Sequence, residues 1–345
     1  MEENNNLNDF NFEFISNPSK LIFYKNIIQD RWIKQDGYKN KFLIFNSIYN
    51  FSCLIYTNSS CSIICYNINE NKKINEIKKA HRYNILDFQH YLDKKNKRDL
   101  ILSIPTWIYD IKLWDINKLE CIYIFKQSNY KDLGDELFEF YSDAFVYTAC
   151  FLCNMDNYYI VIGKFFILDT YNKFPIEVFD FNGNFVKRIN DSNEGTEKII
   201  CYYDELTSKQ FIISIYGNSL KSFYFDENKV YHKYSENNNN KNINDDNSEN
   251  SDNNIDNEIN LIIYKEDKII KLIGLNNEGI VRIWNFHSAE LLKKLDIIRI
   301  YSICLWNNKY LFIGSEDYSI KLIELKNGTI IKSLLGHILN SSRLT

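Results

Sequence analysis

At 345 residues, with a formal net charge of −4 and a pI near 5.8, the chain lacks the basic surplus from which general nucleic-acid and anionic-membrane binders draw affinity. Ile, Tyr, Phe and Val are abundant, Ala is nearly absent and Leu follows no heptad, which is the residue supply of strands and excludes a helix bundle. The length exceeds one ordinary domain, yet rings of repeated β units reach it as a single body.

The opening "MEENNNLNDF" has neither the cationic start nor the apolar stretch of a signal peptide. No run approaches the roughly 18 uncharged residues of a membrane span. Eight cysteines without a secretory signal are expected as reduced thiols, which places the protein in the cytoplasm or, equally compatible, the nucleus. Further on, "FEFISNPSKLIFYKN" (12–26) has the alternation of strands.

From residue 41 onward one short pattern returns. Aligned on the residue in the place of Trp114, the copies are "SIICYN" with Tyr66, "IKLWD" with Trp114, "IEVFD" with Phe179, "LKSFYF" with Phe223, "VRIWN" with Trp284 and "IKLIE" with Ile323. Their intervals are 48, 65, 44, 61 and 39. The long ones have visible causes. "NYKDLGDELFEFYSD" (129–143), with helical character, and "KFFILDTYNKF" (164–174) lengthen the second interval, and the Asn-rich tract 235–258 lengthens the fourth. That tract is too polar to offset its own ordering entropy and reads as a disordered insertion. A unit of about 40 residues expanded by loops accounts for the series.

Each unit divides into four short strands, which in the last copy are 299–306, 309–315, 319–325 and 329–335. Apolar runs carrying one isolated charge suit sheets covered on both faces, as in blades stacked about an axis. With only 11 Gly and 3 Pro, Asn and Asp are expected to take most turn positions of positive φ, as in "FNGN", "NNEG" and "KNG". "KKNKRD" (94–99) reads as a solvated strand-connecting loop.

"IKLWD", "VRIWN", "GSEDYSIKLIE" and the "LGH" ending at His337 resemble WD40 repeats. The resemblance covers the chain from about residue 40 to its end, and it implies an all-β fold: a WD40-like β-propeller of the seven-bladed type. Six blades are clear. The seventh is either completed by strands from residues 1–40, shared between the two chain ends, or incomplete. The repeat residues implied are His81, Trp114, Asp115, Trp284, Ser319 and His337. Departures are several: only Trp114 is followed by Asp, and Asp317 and Ser319 share a blade with Ile323 and no opening His. Complete His–Ser/Thr–Asp–Trp networks are therefore not expected, and apolar packing must hold the blades. His81 and His337 are expected to be structural, through a hydrogen bond to a turn acid.

Catalytic and metal signatures are missing. "CFLC" (150–153) and "CSIIC" (61–65) lie within apolar strand-like runs without turn glycines, so their cysteines read as small buried hydrophobes and no metal site is expected. The five histidines fall in separate units, and no nucleophile elbow, HExxH helix, phosphate loop or dinucleotide turn occurs. A non-catalytic scaffold without cofactor follows, binding protein partners through the rim turns that link second to third strands. By the WD40 alignment those turns carry Trp107, Tyr109, Asn277, Glu278, Glu316 and Asp317, a mixture of aromatics and acids suited to a basic peptide or protein. A phosphoinositide-binding propeller is the alternative, although "FVKRIN" (185–190) lacks the arginine doublet and glycine of that motif; a propeller enzyme with a loop-built site is a further one.

Overall fold

The computed structural model describes residues 42–335 apart from the connecting residues 59, 83–84, 106–109, 126–143, 154–156, 167–175, 190–195, 217–218, 236–257, 267, 277–278, 298–299, 307 and 316–318. The regular structure of the described residues is strand alone, in six four-stranded antiparallel sheets whose spatial order follows chain order. The first sheet holds β1 (Phe42–Asn46), β2 (Ser52–Thr57), β3 (Ile63–Asn67) and β4 (Lys72–Ile77), and the second β5 (Ile85–Asp93), β6 (Arg98–Pro105), β7 (Ile111–Asp115) and β8 (Glu120–Phe125). In the third lie β9 (Ala144–Cys153), β10 (Tyr158–Phe166), β11 (Ile176–Asp180) and β12 (Phe185–Ile189); in the fourth β13 (Thr196–Asp204), β14 (Lys209–Tyr216), β15 (Ser219–Tyr224) and β16 (Lys229–Tyr234). The fifth comprises β17 (Glu258–Glu266), β18 (Ile269–Asn276), β19 (Ile280–Asn285) and β20 (Leu291–Asp296), and the sixth β21 (Ile300–Trp306), β22 (Tyr310–Ser315), β23 (Ser319–Glu324) and β24 (Ile330–Leu335). The first strand of each sheet contacts the first strand of the next, so these strands are innermost and the sheets are the blades of a β-propeller.

The six aligned residues occupy equivalent places. Tyr66, Trp114, Phe179, Phe223, Trp284 and Ile323 each sit on the third strand opposite a buried aliphatic of the second: Leu54, Ile101, Ile160, Ile212, Leu272 and Leu311. Immediately before each of the six, the register with the fourth strand shifts. Such a bulge twists the outer strand, and its recurrence at one position marks one structural unit copied six times.

Alternation along the third strands fills the spaces between blades. Trp114 packs back onto the first sheet with Ile55, Ile63 and Cys65, while its neighbour Leu113 faces forward onto Ile160 and Phe179 of the third. The same step is repeated by Val178 and Phe223, by Leu220 and Trp284, and by Ile283 and Ile323. A strand buried on both faces cannot show a clean hydrophobic-polar alternation, which is why these segments read as continuous apolar runs. The fourth sheet closes on Gly163 of β10, where a Cβ would lie 2.7 Å from both Ile199 and Thr196 and 2.9 Å from Thr148 of the glycine's own sheet. Only a glycine fits that crossing.

Among the described residues, each sheet is built from four consecutive strands, and none is shared between chain ends. Also among them, no apolar cluster joins the sixth sheet to the first, and β1 leaves Phe42 and Ile44 half exposed on the face turned from the second sheet. The segment assigned to closure, residues 1–40, and the stretch beginning at His337 lie outside the described residues, as does 129–143. The insertion placed at 164–174 begins later than expected, because Lys164–Phe166 complete β10. Of the Asn-rich insertion, Ser235 and Glu258 belong to the described flanks and 236–257 lies outside.

Turn chemistry departs from expectation: among the described residues of positive φ, Asn50, Asn71, Asn228 and Asn308 are Asn, none is Asp, and Cys61, Lys79, Lys97, Leu119, Ser208, Ala289 and three glycines make up the rest. The third-to-fourth turn of every sheet has one residue of positive φ: Asn71, Leu119, Gly183, Asn228, Ala289 and Gly328. Glycine takes it where "FNGN" and "KNG" foretell it, and Gly279 of "NNEG" is likewise positive. Leu119 and Ala289, with φ of 62° and 54°, were not foreseen; the repeated turn geometry overrides their preference. A Cβ in this region costs roughly 1–2 kcal/mol, more than glycine's extra unfolded-state entropy. Leu119 is exposed and loses little packing, so Leu119→Gly is expected to raise stability by about 1 kcal/mol. A fall in its urea midpoint would refute this.

Candidate functional site

Antiparallel order sends the first-to-second and third-to-fourth turns of every sheet to one rim, and the second-to-third turns and inter-sheet connections to the other. The first rim is made of tight turns: Ser47–Phe51, Lys94–Lys97, Glu205–Ser208 and Phe225–Asn228 are examples. The strands that flank 126–143, 167–175, 190–195 and 236–257 all end at the second rim. The longest stretches between consecutive described strands therefore begin and end at one side of the ring.

The residue after four of the six aligned positions orders the tight-turn rim. The Asp115 carboxylate accepts N–H bonds from Asn117 and Lys118, both at 3.1 Å. Asp180 does so from Asn182 at 2.9 Å and Asn184 at 2.8 Å, Asn285 from His287 at 3.0 Å, and Asn67 from Glu70 at 3.1 Å. Short side-chain acceptors at this position fold the backbone into an Asx turn, a structural role.

Two further groups on this rim tie neighbouring sheets. Asp99, read from sequence as part of a solvated loop, is the second residue of β6 and is fully buried. It accepts from Ser47 Oγ at 2.7 Å and the Ile48 amide at 3.1 Å in the first sheet, and from His90 Nε2 at 3.0 Å and Asn117 Nδ2 at 3.3 Å. Burial alone would raise its pKa, but these donors outweigh it and hold the carboxyl below the usual range. The serine bonds the aspartate and not the histidine, so the trio is no nucleophilic triad. In the second group, Tyr231 OH meets His287 Nδ1 at 3.0 Å, whose Nε2 lies 3.6 Å from Asp204. Burial, then Tyr224 and Asp204, push the Tyr231 phenol up, so it stays protonated and joins the fourth sheet to the fifth instead of acting as a nucleophile.

At the elaborated rim the described residues form a rigid base. The segment leaving the fourth strand bonds the second-to-third turn of its own sheet, His81 N to Cys61 O at 3.3 Å in the first sheet and Ile297 N to Gly279 O at 2.9 Å in the fifth. Asn276, buried, accepts the Ile280 amide at 2.7 Å and so shapes the turn that carries Asn277 and Glu278. Trp107, Tyr109, Asn277, Glu278, Glu316 and Asp317 themselves lie outside the described residues, as does His337. The strands flanking them, β6 and β7, β18 and β19, β22 and β23, all end at this rim.

Under the rim the second sheet contains a polar network of His, Ser and Trp that lacks the turn acid of the full four-residue pattern. His81 Nε2 is 2.6 Å from Ser103 Oγ, and Trp114 Nε1 donates to the same oxygen at 2.8 Å. The Ser103 oxygen accepts from the indole and keeps both a lone pair and its own proton for the contact with Nε2, whose direction the His81 tautomer sets. Burial, reinforced by Lys112, pushes the His81 pKa down to about 3. Lys112 places its ammonium 2.6 Å from Ala80 O and 5.6 Å from the Trp114 ring centroid. The partner of the buried His81 is thus Ser103 and not the expected turn acid. Ser103, a lone hydroxyl in "LILSIP", was the missed residue; its signal is a single polar position in an otherwise apolar second strand.

The remaining repeat residues pack without this network. Trp284 is fully buried, meets Tyr234 edge-on at 6.0 Å and donates to Ser235 O at 3.4 Å. The Tyr234 hydroxyl donates to Phe286 O at 2.9 Å and lies 3.1 Å from Ser222 Oγ. Ser319 is buried at the start of β23.

Among the described residues no group of three or more His, Cys, Asp or Glu is arranged to hold a metal ion. No helix among them is long and apolar enough to cross a membrane. Burial pushes the Cys53 and Cys65 thiols up to about 12, which makes them inert core groups. No protein-family model and no curated protein matches the chain.

Proposed function

We propose that this protein is a non-catalytic, WD40-like scaffold that binds a protein partner through the elaborated rim. The observation that supports this reading most is that the longest stretches between described strands begin and end at one side of a rigid ring whose other side carries short turns. Loops held on a stiff frame vary without cost to the core, so added length collects where contact with other molecules is made. The WD40 resemblance of the repeats, the acids Glu316 and Asp317 and the aromatics Trp107 and Tyr109 add a partner preference for basic segments.

The two rims provide the test. Glu316→Lys with Asp317→Lys is expected to weaken retention of a co-purified partner at least tenfold without lowering thermal stability, whereas Lys95→Glu with Lys118→Glu on the tight-turn rim leaves it unchanged. Equal loss from both pairs, or none from the first, would overturn the assignment. Salt-sensitive co-sedimentation with phosphoinositide vesicles in place of protein retention would favour the membrane-associated reading.

A further inference from the structure

The third and fourth sheets meet along their innermost strands, β9 and β13. The Ile199 amide donates to Thr148 Oγ1 at 3.2 Å, across an offset of 51 residues. Two residues further along each strand, at the same offset of 51, the Cys150 and Cys201 sulfurs lie 2.9 Å apart. Strand periodicity puts Cys150 on the face of β9 that carries Thr148 and Cys201 on the face of β13 that carries the Ile199 side chain, and Cys150, Ile199 and Cys201 pack in one apolar cluster between the two sheets. The close crossing at Gly163 holds the sheets at this spacing independently. Neither sulfur is in a disulfide; Cys150 is buried and Cys201 partly exposed.

We infer that Cys150 and Cys201 are a disulfide-forming pair that links the third blade covalently to the fourth under oxidising conditions. The sulfurs are within about 0.9 Å of bonding distance, a gap that small side-chain rotations close. The partner chemistry is a small-molecule disulfide such as oxidised glutathione. The Cys201 thiolate, which solvent reaches, attacks one sulfur of that reagent and expels a thiolate. The Cys150 thiolate then displaces the second half from the mixed disulfide on Cys201. Two electrons pass from the cysteine pair to the reagent, the two cysteine protons go to the two released thiolates, and the products are one intramolecular disulfide and two small thiols. A reducing thiol in excess reverses both steps.

Among the other described thiols, Cys53 and Cys65 are sealed in the core between the first two sheets, Cys61 is partly exposed in the first, and Cys121 and Cys304 are exposed on separate sheets. The new bond closes a loop of about 50 residues, and constraint of the unfolded chain on that scale raises Tm by about 5–10 °C.

The experiment uses the full chain with Cys153→Ser, so that a linked peptide reports Cys150 alone. The protein is equilibrated in oxidised glutathione, quenched in acid, denatured with an alkylating agent and mapped by mass spectrometry, with Tm measured before and after reduction. A Cys150–Cys201 linked peptide, a reducible rise in Tm and loss of both in Cys201→Ser are the expected results. Cys150 and Cys201 found alkylated, or each carrying its own glutathione, would overturn the proposal, as would a linkage to any other cysteine. If Cys201→Ser does not fold, peptide mapping of the parent protein decides alone.

Discussion

Trp284→Ala is expected to lower the unfolding free energy by about 3–5 kcal/mol, the range for emptying a buried aromatic site. The indole is fully buried between the fourth and fifth sheets, among Ile213, Leu220, Tyr234, Leu261, Leu272 and Phe286. Side chains from five neighbouring strands surround it, so the cavity collapses poorly, and the indole's bond to Ser235 O is lost. Trp306→Ala is the control, since Trp306 is only partly buried on β21 and rests against Tyr310 and Phe312 at 5.5 and 5.7 Å. Its loss is expected to cost about 1 kcal/mol. Urea denaturation measures both. Comparable midpoints for the two variants would mean that the aligned aromatic position does not anchor its blade.

Acid should destabilise the protein well before its carboxylates titrate. His81 is held neutral, with a pKa near 3 against an ordinary 6.5, so as pH falls the unfolded chain binds the proton first. Stability from this group is therefore complete above pH 6.5 and is lost progressively between 6.5 and 3, at about 1.4 kcal/mol per pH unit. Burial also lowers His232, which adds in the same direction. Asp93 and Asp99, whose pKa values are depressed, lose their contribution only below about 3.8. Between pH 6.5 and 4 the slope accordingly belongs to histidine. His81→Gln, which keeps a hydrogen-bonding group near Ser103 but cannot take the proton, is expected to reduce that slope by about one proton. An unchanged slope would place the linkage elsewhere.

Not every part of the candidate site was equally visible in the chain. The aligned residues from Tyr66 to Ile323 were legible because a strand buried on both faces needs an uninterrupted apolar run, and the Asp or Asn that follows four of them is a local turn signal. Leu119 and Ala289 at positive φ were not legible, since their own preference opposes the conformation and only the copied turn imposes it. Asp99 was misread for a related reason. Within "KKNKRD" its neighbours are solvated, but the donors that make its burial tolerable come from Ser47 and Ile48 in another blade and from His90 across the hairpin. Ser103 joins His81, 22 residues earlier, to Trp114, 11 residues later, and the spacing alone distinguishes it from other serines in no way.

By itself the sequence determined the all-β class, the repeated unit of about 40 residues and the place of its anchoring aromatic, because these depend on periodicity and on contacts within a few residues. The tertiary structure decided which polar groups find partners across a blade boundary, that the long connections begin and end at one rim, and that Cys150 faces Cys201. The physical reason is common to all three: each depends on the relative placement of separate sheets, which is set by packing between apolar faces and leaves no periodic trace in the chain.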